Sequence, residues 1–139
     1  MARDDQGLLQ SFELRKTRDE FALELEAWRT DTKSLHLPEL DLSSLIAEAR
    51  SSFRSNAWYE LLYHNAILLL YRPAPNVSLL DALGDIPRLL SSAEQAIKLY
   101  SYLFRSRKIN FSWVVLHAVF MAGLTYVYAY YHKTLQLSR

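Results

Sequence analysis

The sequence predicts an all-α protein, an irregular array of about four to five helices, two of them largely buried. Half of its 139 residues are apolar and 13% are aromatic, which is too much for a disordered chain. Only three glycines and four prolines are available for turns, so long elements with few connections are expected. Apolar residues recur at helical spacing, and the alternation typical of strands is absent.

The first helix is predicted over residues 8–31. Its apolar face has one interruption, which Arg18 fills, and the other positions are largely charged. The polar stretch 30–34 is predicted to end this helix, and Pro38 disfavours a helical conformation at residue 37. A shorter helix is predicted over 41–54, capped by Asp41 or Ser44. The apolar face of the first helix consists of Leu14, Phe21, Leu25 and Trp28.

The second long helix is predicted over residues 56–72. It is apolar on all sides, which is typical of a buried helix. Pro73 and Pro75 end it, since proline lacks the amide hydrogen that a helix interior needs. Residues 73–88 are predicted to form a loop, with one turn around 79–83.

The next helix is predicted to begin at Ser91, because Ser91 and Glu94 have the spacing of a capping box. An apolar stripe at helical spacing follows, and positive charge suits the end of this helix. The stripe consists of Ala93, Ala96, Ile97, Tyr100, Leu103 and Phe104, and the positive residues are Arg105, Arg107 and Lys108.

The last helix is predicted over about 112–133, capped by Asn110 or Ser112. Residues 109–131 contain no Asp, Glu, Lys or Arg, a length that would cross a bilayer. The tyrosines at its end resemble an interfacial belt. His117 and the other polar residues, together with basic residues at both ends, favour a helix buried in protein. A single-span membrane protein with a cytosolic helical head is the alternative.

Two blocks carry a resemblance to a known family. The first runs from Trp58 to Pro73, where a Tyr63-His64 pair precedes an aliphatic run that Arg72-Pro73 closes. The second contains Trp113, His117 and Gly123. Both resemble the fungal-specific transcription factor domain, the middle homology or regulatory region of zinc binuclear-cluster transcription factors. The Trp-containing first helix is similar to the one that leads into this region. Residues 1–139 therefore resemble one helical segment, the C-terminal part of that domain.

The resemblance implies a nuclear regulator of transcription whose zinc ions are held by a six-cysteine cluster in a separate N-terminal module. This chain has no cysteine, so it has no such cluster, disulfide or thiolate nucleophile. The net charge is only +1, which does not suit a nucleic-acid binder. We therefore expect no direct DNA binding by this chain. It is expected in the nucleus, or in the cytoplasm as a truncated product.

Catalytic and metal-binding motifs are absent from the sequence. The four histidines, at 36, 64, 117 and 132, include no i, i+4 pair of the kind that binds zinc on a helix. There is no Gly-x-Ser-x-Gly turn, and the glycines are isolated, so no phosphate loop exists. We predict that the chain is not an enzyme and holds no metal or cofactor. Glu60 and His64 are expected to form a hydrogen-bonded pair that orients a buried histidine, and His117 is expected in the core.

Protein partners or self-association are expected, because two apolar helices need cover that the rest of the chain does not offer. Arg72 is expected to satisfy carbonyls or a carboxylate at the end of its helix. Six tyrosines would suit an apolar cleft for a small-molecule effector, and a free-standing effector-binding protein is a further alternative. The exposed apolar surface is expected near Leu61, Ile67, Leu69, Val119 and Tyr126. The cleft tyrosines are Tyr59, Tyr63, Tyr71, Tyr100, Tyr126 and Tyr130.

Overall fold

The computed structural model describes residues 2–37, 55–73, 79–106, 108–109 and 112–138, and this part of the chain is all-α, as predicted. It contains four helices and no strand. The helix predicted over 41–54 lies outside the described residues. The four helices are α1 (Ala2–Ser34), α2 (Asn56–Leu70), α3 (Leu79–Arg105) and α4 (Trp113–Leu137).

Helix α2 occupies the centre of the packing, between α1 and α3. It begins after Ser55, whose Oγ accepts a hydrogen bond from the Trp58 amide at 3.2 Å. It ends at Leu70, and the Tyr71 amide closes the last turn on the Ile67 carbonyl at 3.0 Å, two residues before Pro73. The predicted helix over 56–72 is thus confirmed in place and nearly in length.

Helix α3 differs most from its prediction. A loop was expected over 73–88 and a capping box at Ser91, but the helix runs unbroken from Leu79 to Arg105 with Pro87 inside it. The capping box is therefore wrong, and so is the loop over 79–88, where only the predicted turn around 79–83 agrees with the helix. Pro87 removes one backbone hydrogen bond, yet Ile86 and Leu89 beside it are completely buried. Burial of these side chains outweighs the lost hydrogen bond, because each contributes about 1.5–3 kcal/mol.

Small residues set the contact between α3 and α4, the most extensive in the described fold. Ala93 and Ala96 of α3 and Ala122 and Ala129 of α4 are all fully buried. Side chains of this size allow two helix axes to lie close together. The largest fully buried side chains are Ile67, Ile86, Leu89 and Leu103.

Helix α4 is not the buried helix that its composition predicted. Ser112 caps it as expected, accepting a hydrogen bond from the Val115 amide at 3.3 Å. Only Ala122 and Ala129 are buried, however, and most of its large apolar side chains are exposed. Within the described residues, α4 has neighbours on one side only, mainly α3. Among the described residues, this one helix has the length and apolar composition that crossing a membrane requires.

Candidate functional site

A polar cluster joins α1 to α2. Both nitrogens of the Arg29 fork donate to Glu60, at 3.1 Å and 2.7 Å, and the guanidinium lies 4.2 Å from the ring centre of Tyr63. The hydroxyl of Tyr63 donates to Glu26. Two-point pairing of arginine with a carboxylate fixes geometry as well as adding energy. The α1–α2 polar cluster, consisting of Glu26, Arg29, Glu60, Tyr63 and His64, therefore fixes the register of α1 on α2.

Three members of this cluster, Arg29, Glu60 and Tyr63, have pKa values shifted so that each keeps one charge state at neutral pH. The hydrogen bond from Arg29 lowers the pKa of Glu60, although burial opposes it. The same bond raises the pKa of Arg29. Burial, followed by the hydrogen bond to Glu26, raises the pKa of Tyr63 to about 12. At neutral pH the cluster is thus an ion pair beside a protonated tyrosine, and none of these groups is poised for proton transfer.

His64 is buried as predicted, but its main partner is not the predicted one. Its Nδ1 is hydrogen-bonded to Ser92 Oγ at 3.3 Å, whereas its Nε2 lies 3.8 Å from Glu60, too far for a good hydrogen bond. Glu60 is occupied by Arg29. Burial lowers the pKa of His64, with the nearby Arg29 charge as a further cause. The neutral imidazole therefore ties α2 to α3 through Ser92, the residue expected near the start of a helix.

A second ion pair holds α1 against α3. Arg18 Nη1 and Nη2 donate to the two carboxylate oxygens of Asp85, at 2.6 Å and 3.3 Å. The guanidiniums of Arg18 and Arg88 also lie over the ring of Tyr71, 4.5 Å and 4.9 Å from its centre. An arginine interrupting the apolar face of α1 was the signal for this pair. Its partner was missed because Asp85 lay in the predicted loop.

An apolar groove of about 520 Å³ opens between α2, the end of α3 and α4. Its wall contains a polar pair, in which Asn65 Nδ2 donates to the Tyr100 hydroxyl at 2.9 Å. Burial raises the pKa of Tyr100, so the hydroxyl stays protonated. Arg72 lies at the edge, exposed, and makes no hydrogen bond to any described residue. The carboxylate or carbonyl partner expected for Arg72 is thus not found within this part of the chain.

The structure divides the family-motif residues among three places. Trp58, Arg72 and His117 line the groove, and Tyr63 and His64 belong to the α1–α2 polar cluster. Pro73 follows α2, while Trp113 and Gly123 lie on α4 outside the groove. His117 is exposed at the groove, not in the core, because no described element covers α4 on that side.

The predicted tyrosine cleft does not form. Of its six tyrosines, only Tyr100 lines the groove. Tyr63 and Tyr71 take part in the contacts of α1, and Tyr126 and Tyr130 stack on each other with ring centres 6.1 Å apart. The expected exposed surface is partly correct: Leu69 and Val119 are exposed, whereas Leu61 and Ile67 are in the core.

Metal-binding geometry is not found in the described part of the chain. No group of three or more His, Asp or Glu side chains there is placed to hold an ion. The described surface instead carries an apolar groove with Arg72 at its edge, and an apolar outer surface on α4.

Comparisons with known proteins point to regulators. The chain is 28% identical over 113 residues to the Pyrimidine pathway regulatory protein 1 of Saccharomyces cerevisiae, covering 80% of this chain and 12% of that protein. It is 25% identical over 101 residues to the Positive regulator of purine utilization of Emericella nidulans, covering 58% of this chain and 10% of that protein. The chain thus spans about a tenth of the length of these relatives. No family model and no solved structure matches it. These likenesses support a regulatory role.

Proposed function

We propose that this chain is a regulatory and interaction module of a fungal zinc-cluster-type transcription regulator, and that it acts in the nucleus through contacts with protein. The observation that carries the proposal is the similarity over 80% of the chain to a pyrimidine pathway regulator, joined by a second, to a regulator of purine utilization. The module has no zinc cluster of its own and carries no catalytic step.

The charge distribution supports contact with protein over contact with DNA. The net charge is +1, and the cations Arg18 and Arg29 are each engaged by a carboxylate. Cations engaged in this way are poorly available to phosphates, whose neutralisation supplies most non-specific DNA affinity. The exposed surface of α4 is instead apolar, and such surfaces mark sites of protein interaction.

Tethering tests the regulatory role. The full chain, fused to a heterologous DNA-binding domain in yeast, is expected to change transcription of a reporter that carries the cognate sites. The matched control is the same fusion with Ile67→Asp, which places a charge in the core and destroys the fold. Reporter output equal for the two fusions would contradict the proposal.

A mobility-shift assay and a localisation experiment complete the test. The isolated chain should give no sequence-selective complex with DNA at physiological salt, and a fluorescent fusion should accumulate in the nucleus. A tight selective complex would contradict the protein-contact reading. Retention of the protein in the pellet after alkaline carbonate extraction would instead establish the alternative, a single membrane span through α4.

The groove favours a second candidate function, the binding of a small effector. Its volume of about 520 Å³ suits a drug-sized molecule, and Arg72 would favour an anionic group on it. Native mass spectrometry of the purified chain checks this directly. A bound small molecule that Leu69→Trp displaces, by filling the groove, would establish it, and an unliganded mass for both proteins would reject it.

A further inference from the structure

The face of α4 that points away from α3 carries one continuous apolar stripe. Six large side chains recur at steps of three and four residues, so they share one side of the helix. The buried Ala122 and Ala129 lie on the opposite side. We call these six residues the outer stripe, and each is between 49% and 80% exposed: Trp113, Leu116, Phe120, Leu124, Val127 and Tyr131. None of them lines the groove.

The outer stripe is large enough for a specific interface. At 1.5 Å per residue it extends over about 27 Å. The three aromatic side chains of the stripe have about 150–250 Å² each to bury. Together with the three aliphatic ones, their exposed parts offer roughly 600 Å². A standard interface buries about 800 Å² per partner. The exposed Leu135, one turn beyond Tyr131 on the same side of the helix, adds to this area.

The outer stripe matches itself when reversed. In an antiparallel copy, Trp113 lies opposite Tyr131, Leu116 opposite Val127, and Phe120 opposite Leu124. Each pair sets a larger side chain against a smaller one, which allows the two faces to interdigitate. A two-fold interface needs this reciprocity, because every contact between two positions occurs twice.

Gly123 lies beside the stripe at its midpoint, and nothing inside the described chain requires a glycine there. Glycine destabilises a helix interior relative to alanine. A Cβ added at Gly123 would meet no atom within 4 Å, so alanine would fit the isolated chain. A second helix that crosses at this point does require glycine, since the missing side chain lets the two backbones approach.

We infer that the outer stripe is a self-association surface, on which α4 of a second copy packs antiparallel and crosses at Gly123. A bilayer is a poorer occupant, because α3 packs along the other side of α4. A spanning α4 would carry the exposed Glu94–Lys98 pair of α3 toward lipid. The inference goes beyond the proposed regulatory role, and its test measures association without any transcriptional readout.

Sedimentation velocity of the full, detergent-free chain over a wide concentration range is the first experiment. A reversible dimer is expected. Gly123→Ala should raise the dissociation constant at least tenfold, yet increase the resistance of the dilute monomer to urea. Gly84→Ala is the matched control: it lies inside α3, its added Cβ also meets no atom within 4 Å, and it should increase urea resistance without changing association. Phe120→Gln should weaken the dimer as Gly123→Ala does.

Disulfide trapping tests the antiparallel arrangement, and the absence of native cysteine makes it unambiguous. A mixture of Leu116→Cys and Val127→Cys chains should form a mixed disulfide, whereas Leu116→Cys alone should not, because those positions lie too far apart in the antiparallel pair. Three results would each overturn the inference. They are a strict monomer, a dimer that Gly123→Ala and Phe120→Gln leave unchanged, and efficient disulfide trapping of Leu116→Cys with itself. So would a chain that stays monomeric in solution but binds phosphatidylcholine vesicles through the stripe.

Discussion

Ile67 and Leu69 lie two residues apart on α2 and provide the sharpest test of the core. Both were expected near the exposed surface, but Ile67 is 1% exposed and Leu69 is 66% exposed. Truncating Ile67 to alanine removes three buried carbons. At about 0.8 kcal/mol per carbon transferred out of water, the lost burial amounts to about 2.4 kcal/mol. The cavity left behind adds to this, so we expect Ile67→Ala to lower the free energy of unfolding by about 3 kcal/mol.

Leu69→Ala removes the same number of carbons from a side chain that is one-third buried. The expected loss is about 0.8 kcal/mol, with no cavity term. Urea denaturation followed by circular dichroism at 222 nm measures both, and the slope against urea should be the same for the two variants. Equal losses for Ile67→Ala and Leu69→Ala would refute the placement of Ile67 at the centre of the α2–α3 packing.

Three further outcomes are expected in the same assay. Pro87→Ala should raise the free energy of unfolding by roughly 1–3 kcal/mol, because it restores an amide donor inside α3; a loss would show that the helix does not run through Pro87. Ser112→Ala should lower the free energy of unfolding by about 1 kcal/mol, because α4 loses its N-terminal cap, whereas Ser112→Asp should keep the cap and the stability. Burial lowers the pKa of His64 below the ordinary 6.5, so the unfolded chain binds this proton more readily than the folded chain. The free energy of unfolding that His64 contributes is therefore fully present above pH 6.5 and declines as the pH falls. Glu60, whose pKa Arg29 lowers, adds a second loss as the pH falls below 4.5. His64→Gln should abolish the first decline only, and a stability that rises on acidification would contradict both pKa directions.

Local signals in the sequence determine α2 well. Its composition is apolar throughout, Pro73 limits its end, and its neighbours lie on both sides. The cap of α4 at Ser112 was predictable for the same reason, since a serine before an apolar run satisfies the first free amides of a helix. These features depend on residues a few positions apart, and such short-range chemistry is what one sequence expresses directly.

Helix α3 shows why local signals fail elsewhere. Pro87 and the Ser91–Glu94 spacing both indicate a helix boundary, but α3 continues through both positions. The deciding interactions come from distant residues: Arg18 pairs with Asp85, and His64 binds Ser92. A prediction that assigns 73–88 to a loop cannot place Asp85 opposite Arg18, so one wrong boundary also hides the ion pair that depends on it.

Helix α4 poses a different problem, because its composition is equally compatible with a protein core, a bilayer and an interface. Residues 109–131 contain no Asp, Glu, Lys or Arg, which suits each of the three environments. What separates them is the arrangement around the helix. Buried alanines lie on one side, large exposed side chains lie on the other, and Gly123 leaves space at the midpoint of the exposed side. A core helix would be covered all round, and a bilayer would not require space at one position. A second helix requires it, so the alanine substitution that strengthens the isolated helix should be the one that weakens its association.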